Sequence, residues 1–450
     1  MSTLCSGRVA RALVFTGAAT ITAAGFCLVY QYLRSSESVE PTSQKMHDWQ
    51  YRFDCLLQFI CNEEAEAAID LIQRWPRLAL LSRTSDSISA AAAASQRGQT
   101  PVLQALLEAG SNLAVQSASG HSVLCFAASA GHADCVSLLL DAAAPGSTGS
   151  SGHSPMHLAA SSGHAHVIRV LTRHPRYPAR LDQQSNRGQT ALMLAAAGGH
   201  RGAVRELLLA GSSTHLTDVN GYNALHHAVC SGSVQTLACV LAACRPPPAA
   251  LDAYWNAKAP TPLVLAVASG AGDMAACLLH AGWPLLGRSR SPMGDYAPQW
   301  CTALHVAAAG GHVSLLRALL AHLEQAKELL PVEVHSPGST ASGGECIEVV
   351  DSEGYTPAAA AAAAGERAAL RELLLMHPGS IEFRGHSEET LLHVASRSDR
   401  GAAVIEDLLT YGCNVDATDA DNRTSAQWAN DLEVPSAIRI LTKHSGLCTA

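Results

Sequence analysis

The stretch that decides how this chain folds runs Gly188-Gln189-Thr190-Ala191-Leu192-Met193, then Ala195-Ala196, Gly199-His200, Leu207-Leu208-Leu209 and Ala210-Gly211. Thr190 ahead of an apolar run is helix N-cap chemistry, its side-chain oxygen placed to accept an orphan amide of the first turn. Ala195 and Ala196 have almost no side chain, so neighbouring helices can approach closely. Gly199 permits the left-handed backbone that closes a helix. The leucine run then forms a second, bulkier helix. Two short helices cannot bury their apolar faces alone, so the stretch predicts a unit that stacks on copies of itself.

Copies are present. The four-residue slot at Thr190 to Met193 recurs at Ser122 to Cys125, Ser154 to His157, Asn223 to His226, Thr261 to Val264, Thr302 to His305, Thr356 to Ala359 and Thr390 to His393. Ser, Thr or Asn holds the first place and an apolar residue the third, with Pro155, Pro262 or Pro357 suited to the first helical turn. The slots are spaced 32, 36, 33, 38, 41, 54 and 34 residues apart. This pattern of Thr-Pro-Leu-His, Ala-Ala, Gly-His and Leu-Leu-Leu resembles the ankyrin-repeat family, whose period of about 33 residues makes the longer intervals carriers of insertions. The resemblance implies an all-α solenoid of stacked helix-turn-helix units with short hairpin-like loops. An earlier copy lies around Ala93-Ala94 and Gly98 to Gly110, its slot lost.

Trp49 to Leu81 and Asp421 to Leu441 keep the two-helix rhythm and read as solubilising caps. The expected organisation is a short basic segment at 1–11, an apolar anchor at 12–33, a polar linker at 34–46, about eleven repeat units over 47–445 and a tail at 446–450. Insertions fall at 243–258, 286–300 and 322–350. The last two read as exposed loops, and Ser291-Pro292 and Ser336-Pro337 within them as ordinary turns, with phosphorylation sites the alternative.

Between Arg11 and Arg34, residues Ala12 to Leu33 carry no charge. At about 1.5 Å of helical rise per residue they reach roughly 33 Å, enough for one bilayer crossing. A cleaved signal peptide with its cut at Ala24 or Gly25 is the alternative, opposed by the apolar run Phe26-Cys27-Leu28-Val29-Tyr30 that continues past the cut. Arg8 and Arg11 balance Arg34, Lys45 and Arg52, so charge does not orient the span. The expected location is a single-pass membrane protein with a cytosolic repeat domain, at the outer mitochondrial membrane or an endomembrane.

Hydrophobic residues make up 48% of the chain and aromatics 5%, a core of Ala and Leu built from small pieces. A net charge of −8 without any Lys or Arg cluster excludes a nucleic-acid footprint. The 14 cysteines form no Cys-x-x-Cys pair, and Cys125, Cys135, Cys230, Cys239 and Cys277 fall on apolar helix faces, as reduced intracellular thiols do.

Catalytic signatures are missing: there is no His-Glu-x-x-His, no Gly-x-Ser-x-Gly, no phosphate loop and no kinase set. His157, His226, His305 and His393 hold the slot's fourth place, where the resemblance implies a ring bonded to the turn, and His132, His164, His200 and His312 follow the helix-end region. His164 with His166, or His226 with His227, lacks a partner at zinc-like spacing. No cofactor, metal or small-molecule substrate is expected.

What remains is recognition. The resemblance places partners on the surface made by the hairpin tips and first helices, and the register puts Ser117, Ser119, Thr217, Asp218, Asn220, Thr418, Asp419 and Asp421 at tips, with Tyr222 and Tyr355 beside them. As solvated turn residues, Asp218 and Asn220 are expected to cost within about 0.5 kcal/mol of stability when replaced. The expected function is a noncatalytic protein-protein interaction scaffold tethered to a membrane. A regulatory or targeting subunit that positions a partner enzyme is the alternative.

Overall fold

The computed structural model describes residues 43–81, 88–144, 146, 148–175, 177, 180–244, 259–285, 287, 289–290, 300–329 and 349–444. They divide into two compact units, one reaching to Ala195 with Arg205–Ser212, the other comprising Ala196–Val204 and the residues from Ser213 onward. Both are built from the same helix pair. Among the described residues the pairs begin with Ser43–Cys61 and Ala65–Arg74, continue through Val123–Ala130 with Ala133–Asp141, Ala224–Cys230 with Val234–Ala243 and Pro357–Ala364 with Arg367–Met376, and end with Ser425–Asp431 and Pro435–His444.

The slot starts each first helix as its chemistry requires. The side chain of Ser154 accepts from the amide of His157, Thr261 from Val264 and Thr356 from Ala359, each with proline in the first turn. Asn223 accepts from Leu225 and His226, and Thr190 Oγ1 from the amide of Met193 at 3.3 Å. Left-handed glycines stop several of these helices, Gly131 at φ 87 among them. A Cβ there would lie 2.6 Å from the imidazole of His164. That ring belongs to the next repeat, and its Nε2 is 3.1 Å from the carbonyl of Ser129. The Gly and His of the sequence pattern therefore serve neighbouring repeats as well as their own.

The slot histidines cross the repeat boundary too. His157 Nδ1 lies 2.7 Å from Ser154 Oγ, while its Nε2 is 3.0 Å from the carbonyl of Gln189, just before the next slot. His226 reaches Pro260 O at 2.7 Å, His305 reaches Tyr355 O at 2.8 Å and His393 reaches Arg423 O at 2.9 Å. Each ring ties its own helix start to the hairpin that follows. The apolar core is made of small first-helix residues such as Ala195 and Ala196 and second-helix leucines such as Leu207, with Leu192, all fully buried. Each fully buried Leu stabilises the fold by about 1.5–3 kcal/mol relative to exposure.

Several boundaries differ from the sequence reading. The slot of the copy around Ala93-Ala94 is not wholly lost, because Ser89 caps the helix Ala90–Arg97 by accepting from the amide of Ala92. Five alanines, Ala90 to Ala94, follow that serine, and the first three of them fill the rest of its slot. The expected linker ends early, since a helix already begins at Ser43. The ends of the 286–300 insertion are not free loop: Ser289–Arg290 pairs antiparallel with Trp300–Cys301. The first part of the 322–350 insertion continues a second helix, Val313–Leu329, long enough to bury Leu323. Cys125 and Cys135 are buried as expected, whereas Cys230 is exposed.

The anchor expected at 12–33, most of the 243–258 insertion, Ser291-Pro292, Ser336-Pro337 and the 446–450 tail lie outside the described residues. Among the described residues no helix is long and apolar enough to cross a membrane.

Candidate protein-interaction surface

Three hairpin tips are shaped by an aspartate at their first place. Asp218 accepts from the amides of Asn220 and Tyr222, both at 2.9 Å through Oδ1, and its own amide donates to the carbonyl of Tyr222. Its other oxygen, Oδ2, lies 3.1 Å from His227 Nε2. Asp419 repeats the device: Oδ1 takes the amides of Asp421 and Arg423, while Oδ2 takes Arg423 Nε at 3.1 Å and Trp428 Nε1 at 2.7 Å. Asp351 does the same with Glu353 and Tyr355. A short carboxylate bonded to amides two and four residues on is a side chain completing the turn.

This corrects the view of Asp218 and Asp419 as solvated tip residues, since both are buried and committed to their hairpins. The expectation that replacing Asp218 costs little stability falls with it. Tyr355 is also buried, its hydroxyl accepting from Arg397 Nη1 at 2.6 Å. Tyr222 is half-buried, stacked on His226 with ring centroids 5.2 Å apart. Ser117 is half-buried, bonded through its hydroxyl to Ser119 Oγ at 2.8 Å and to the amide of His121. Thr217 is half-buried. Ser119, Asn220, Thr418 and Asp421 are exposed. Ser117 and Ser119 belong to the first unit, and the remaining candidates to the second.

The sequence reading passed over the place just after the slot. Phe126, Leu158 and Leu265 stand there on first helices, each partly exposed, with His227 and Trp428 at the equivalent place in their own repeats. The period alone would have found them. The first helices Val123–Ala130, Pro155–Ser161, Ala191–Ala197, Ala224–Cys230, Pro262–Ala268, Ala303–Ala309 and Pro357–Ala364 contain no Asp, Glu, Lys or Arg. Within each unit, taken by itself, the first helices are therefore uncharged beside polar tips.

Burial holds several titratable groups of the core in their neutral forms. Burial pushes the Cys55 thiol up to about 12 and the Cys413 thiol up to about 11, and raises Cys125 and Cys135 above the ordinary thiol value. Thiols held protonated are poor nucleophiles. Burial holds His226 down to about 4, and lowers His157 and His393, against the opposing pull of their bonds to backbone carbonyls. These rings are neutral at pH 7 and occupied by structure. Among the described residues no three His, Cys, Asp or Glu side chains are grouped to hold a metal ion.

Comparison with known proteins agrees with this geometry. The family described as "Ankyrin repeats (3 copies)" matches residues 90–178, 176–246 and 192–285, and the family "Ankyrin repeat" matches residues 299–327. The chain belongs to the ankyrin-repeat proteins. It is 29% identical over 230 residues to a probable E3 ubiquitin-protein ligase, XBOS32, of Oryza sativa subsp. japonica. The match covers 50% of this chain and 36% of that protein, so it spans about a third of the relative's length. An ankyrin domain is a protein-interaction domain, and that coarse function follows from the family.

Proposed function

We propose that the chain is a noncatalytic scaffold, an ankyrin-repeat domain tethered to a membrane through residues 12–33, that recognises another protein. The observation behind recognition is that the first helices from Val123 to Ala364 are uncharged, in each unit by itself. Covering such helices costs no desolvation of ions. Exposed polar tips such as Ser119, Asn220, Thr418 and Asp421 then select the partner through hydrogen bonds at the rim. Asp218 and Asp419 act indirectly, by fixing the shape of the tips.

The tether rests on the uncharged run between Arg11 and Arg34. Free cysteines at Cys55, Cys125 and Cys135 support a cytosolic placement of the repeats, at the outer mitochondrial membrane or an endomembrane. The test is deletion of residues 1–34 followed by fractionation. The shortened protein is expected in the supernatant of carbonate-washed membranes with its helical circular dichroism retained; a shortened protein that still pellets ends the tether reading.

A second reading, a regulatory or targeting subunit that positions an enzyme, draws support from the likeness to a probable E3 ubiquitin-protein ligase. It predicts that the captured full-length chain brings down ubiquitin-transfer activity that the purified chain lacks. A captured fraction without that activity leaves the scaffold alone.

A further inference from the structure

We propose that the joint between the repeat starting at Thr356 and the repeat starting at Thr390 is an ionic hinge, closed by Arg367 and Arg371 on Asp407. The two repeats after it, residues 385–444, open from it as one block. This inference does not depend on which partner the domain recognises.

The joint differs from those on either side. In the repeat before it, His305 crosses to the carbonyl of Tyr355, and in the repeat after it, His393 crosses to the carbonyl of Arg423. The equivalent place at the joint is Ala359, a methyl group with nothing to donate. The neighbouring feature changes as well. Where Gly131 packs against the ring of His164 and Gly270 against the ring of His312, Gly365 packs against the backbone of Arg400. The inner bridge that remains is the bond from Arg397, an exposed residue, to the hydroxyl of Tyr355.

The second helices supply the polar closure, beside first helices that pack through buried Leu391, Leu392 and Val394. Asp407, on the helix Ala402–Thr410, takes Arg367 Nε at 2.5 Å and Nη2 at 2.6 Å, with Arg371 Nε at 2.8 Å and Nη2 at 2.7 Å. Two guanidinium forks from the helix Arg367–Met376 close on one carboxylate whose side chain is 4% exposed. Bidentate pairs of this kind are among the stronger hydrogen bonds. At the joint before, one pair between Arg317 and Glu372 supplements the histidine bridge. A joint whose polar closure is concentrated on one carboxylate opens when that carboxylate is neutralised. Its opening would carry Thr418, Asp419 and Asp421 away from Tyr355.

Native-state hydrogen exchange on the full chain, comparing wild type, Asp407→Asn and Glu372→Gln, tests this. In Asp407→Asn the amides of 391–444 are expected to exchange about tenfold faster, in one block, with 303–376 unchanged. Glu372→Gln, where His305 still bridges, is expected to change its own joint less than about threefold. Unchanged exchange in 391–444, equal acceleration across 303–376, or an equal effect of Glu372→Gln would overturn the hinge. Should Asp407→Asn not fold, Arg371→Gln, which removes one of the two forks at a half-exposed side chain, gives the same reading. Block acceleration of 391–444 there supports the hinge, and uniform or absent acceleration overturns it.

Discussion

Asp419 accepts the indole N–H of Trp428 at 2.7 Å, tying a hairpin tip to the first helix behind it. The other oxygen of the same carboxylate holds the amides of Asp421 and Arg423. Asp218 binds His227 in the same way, across the same nine residues. The tips of these repeats are thus built before any partner arrives, and a partner meets a surface whose ordering entropy has already been spent.

Asp218→Ala is therefore expected to destabilise the protein by about 1–3 kcal/mol, because two amides and a ring nitrogen lose their acceptor. Asn220→Ala, at an exposed neighbour, is expected to stay within about 0.5 kcal/mol. Urea unfolding of both variants measures the difference, and equal midpoints would return Asp218 to the solvated tip.

The carboxyl of Asp419 follows its contacts. Burial alone would raise its pKa from 3.8, but bonds from the Arg423 amide, Trp428 and the Arg423 guanidinium outweigh burial and hold it down to about 2. A depressed acid stabilises the fold fully above its unfolded value and loses that contribution as pH falls through its folded value. Carboxyl titration by NMR is expected to place Asp419 well below the ordinary value of 3.8, and a midpoint at or above that value would contradict these contacts.

His226 behaves in the opposite sense with respect to charge. Buried and bonded to Pro260, it is held down from 6.5 to about 4, so the unfolded chain takes up its proton first as the solution is acidified. Its contribution is intact above pH 6.5 and is lost as pH falls toward 4, amounting to about 3 kcal/mol. Unfolding midpoints between pH 7 and 4 should fall less steeply in His226→Gln than in wild type. Parallel curves would show that this ring is not the acid-sensitive group.

Leu192, fully buried in its repeat, gives the packing test. Leu192→Ala is expected to cost about 2–5 kcal/mol and to loosen residues 155–212 before the terminal repeats, since each repeat leans on its neighbours. Hydrogen exchange that leaves 155–212 protected would contradict the register.

The helix starts were legible because capping is local. Thr190, Asn223 and Thr356 need only the amides two or three residues on, so their spacing in the chain is enough. Ser89 escaped notice because three alanines replaced the rest of its slot. The strand pair Ser289–Arg290 with Trp300–Cys301 depends on partners ten or more residues apart, and the helix to Leu329 was assigned to an insertion because the repeat period ends before it does. The roles of Asp218 and Asp419 were hidden for a different reason. An acidic residue at a turn reads as solvated until the amides and the ring it binds are seen to converge on it. Phe126, Leu158 and Leu265 were within reach of the register, one place past the slot.

The central claim is that the uncharged first helices receive a protein partner. Proximity labelling by the intact full-length chain in cells, compared with a Phe126→Glu, Leu158→Glu, Leu265→Glu variant whose helical circular dichroism matches wild type, tests it most directly. The account predicts that the variant loses labelled protein neighbours while keeping those of its membrane. An unchanged set of neighbours, with the fold intact and charges on the first helices of both units, would contradict it.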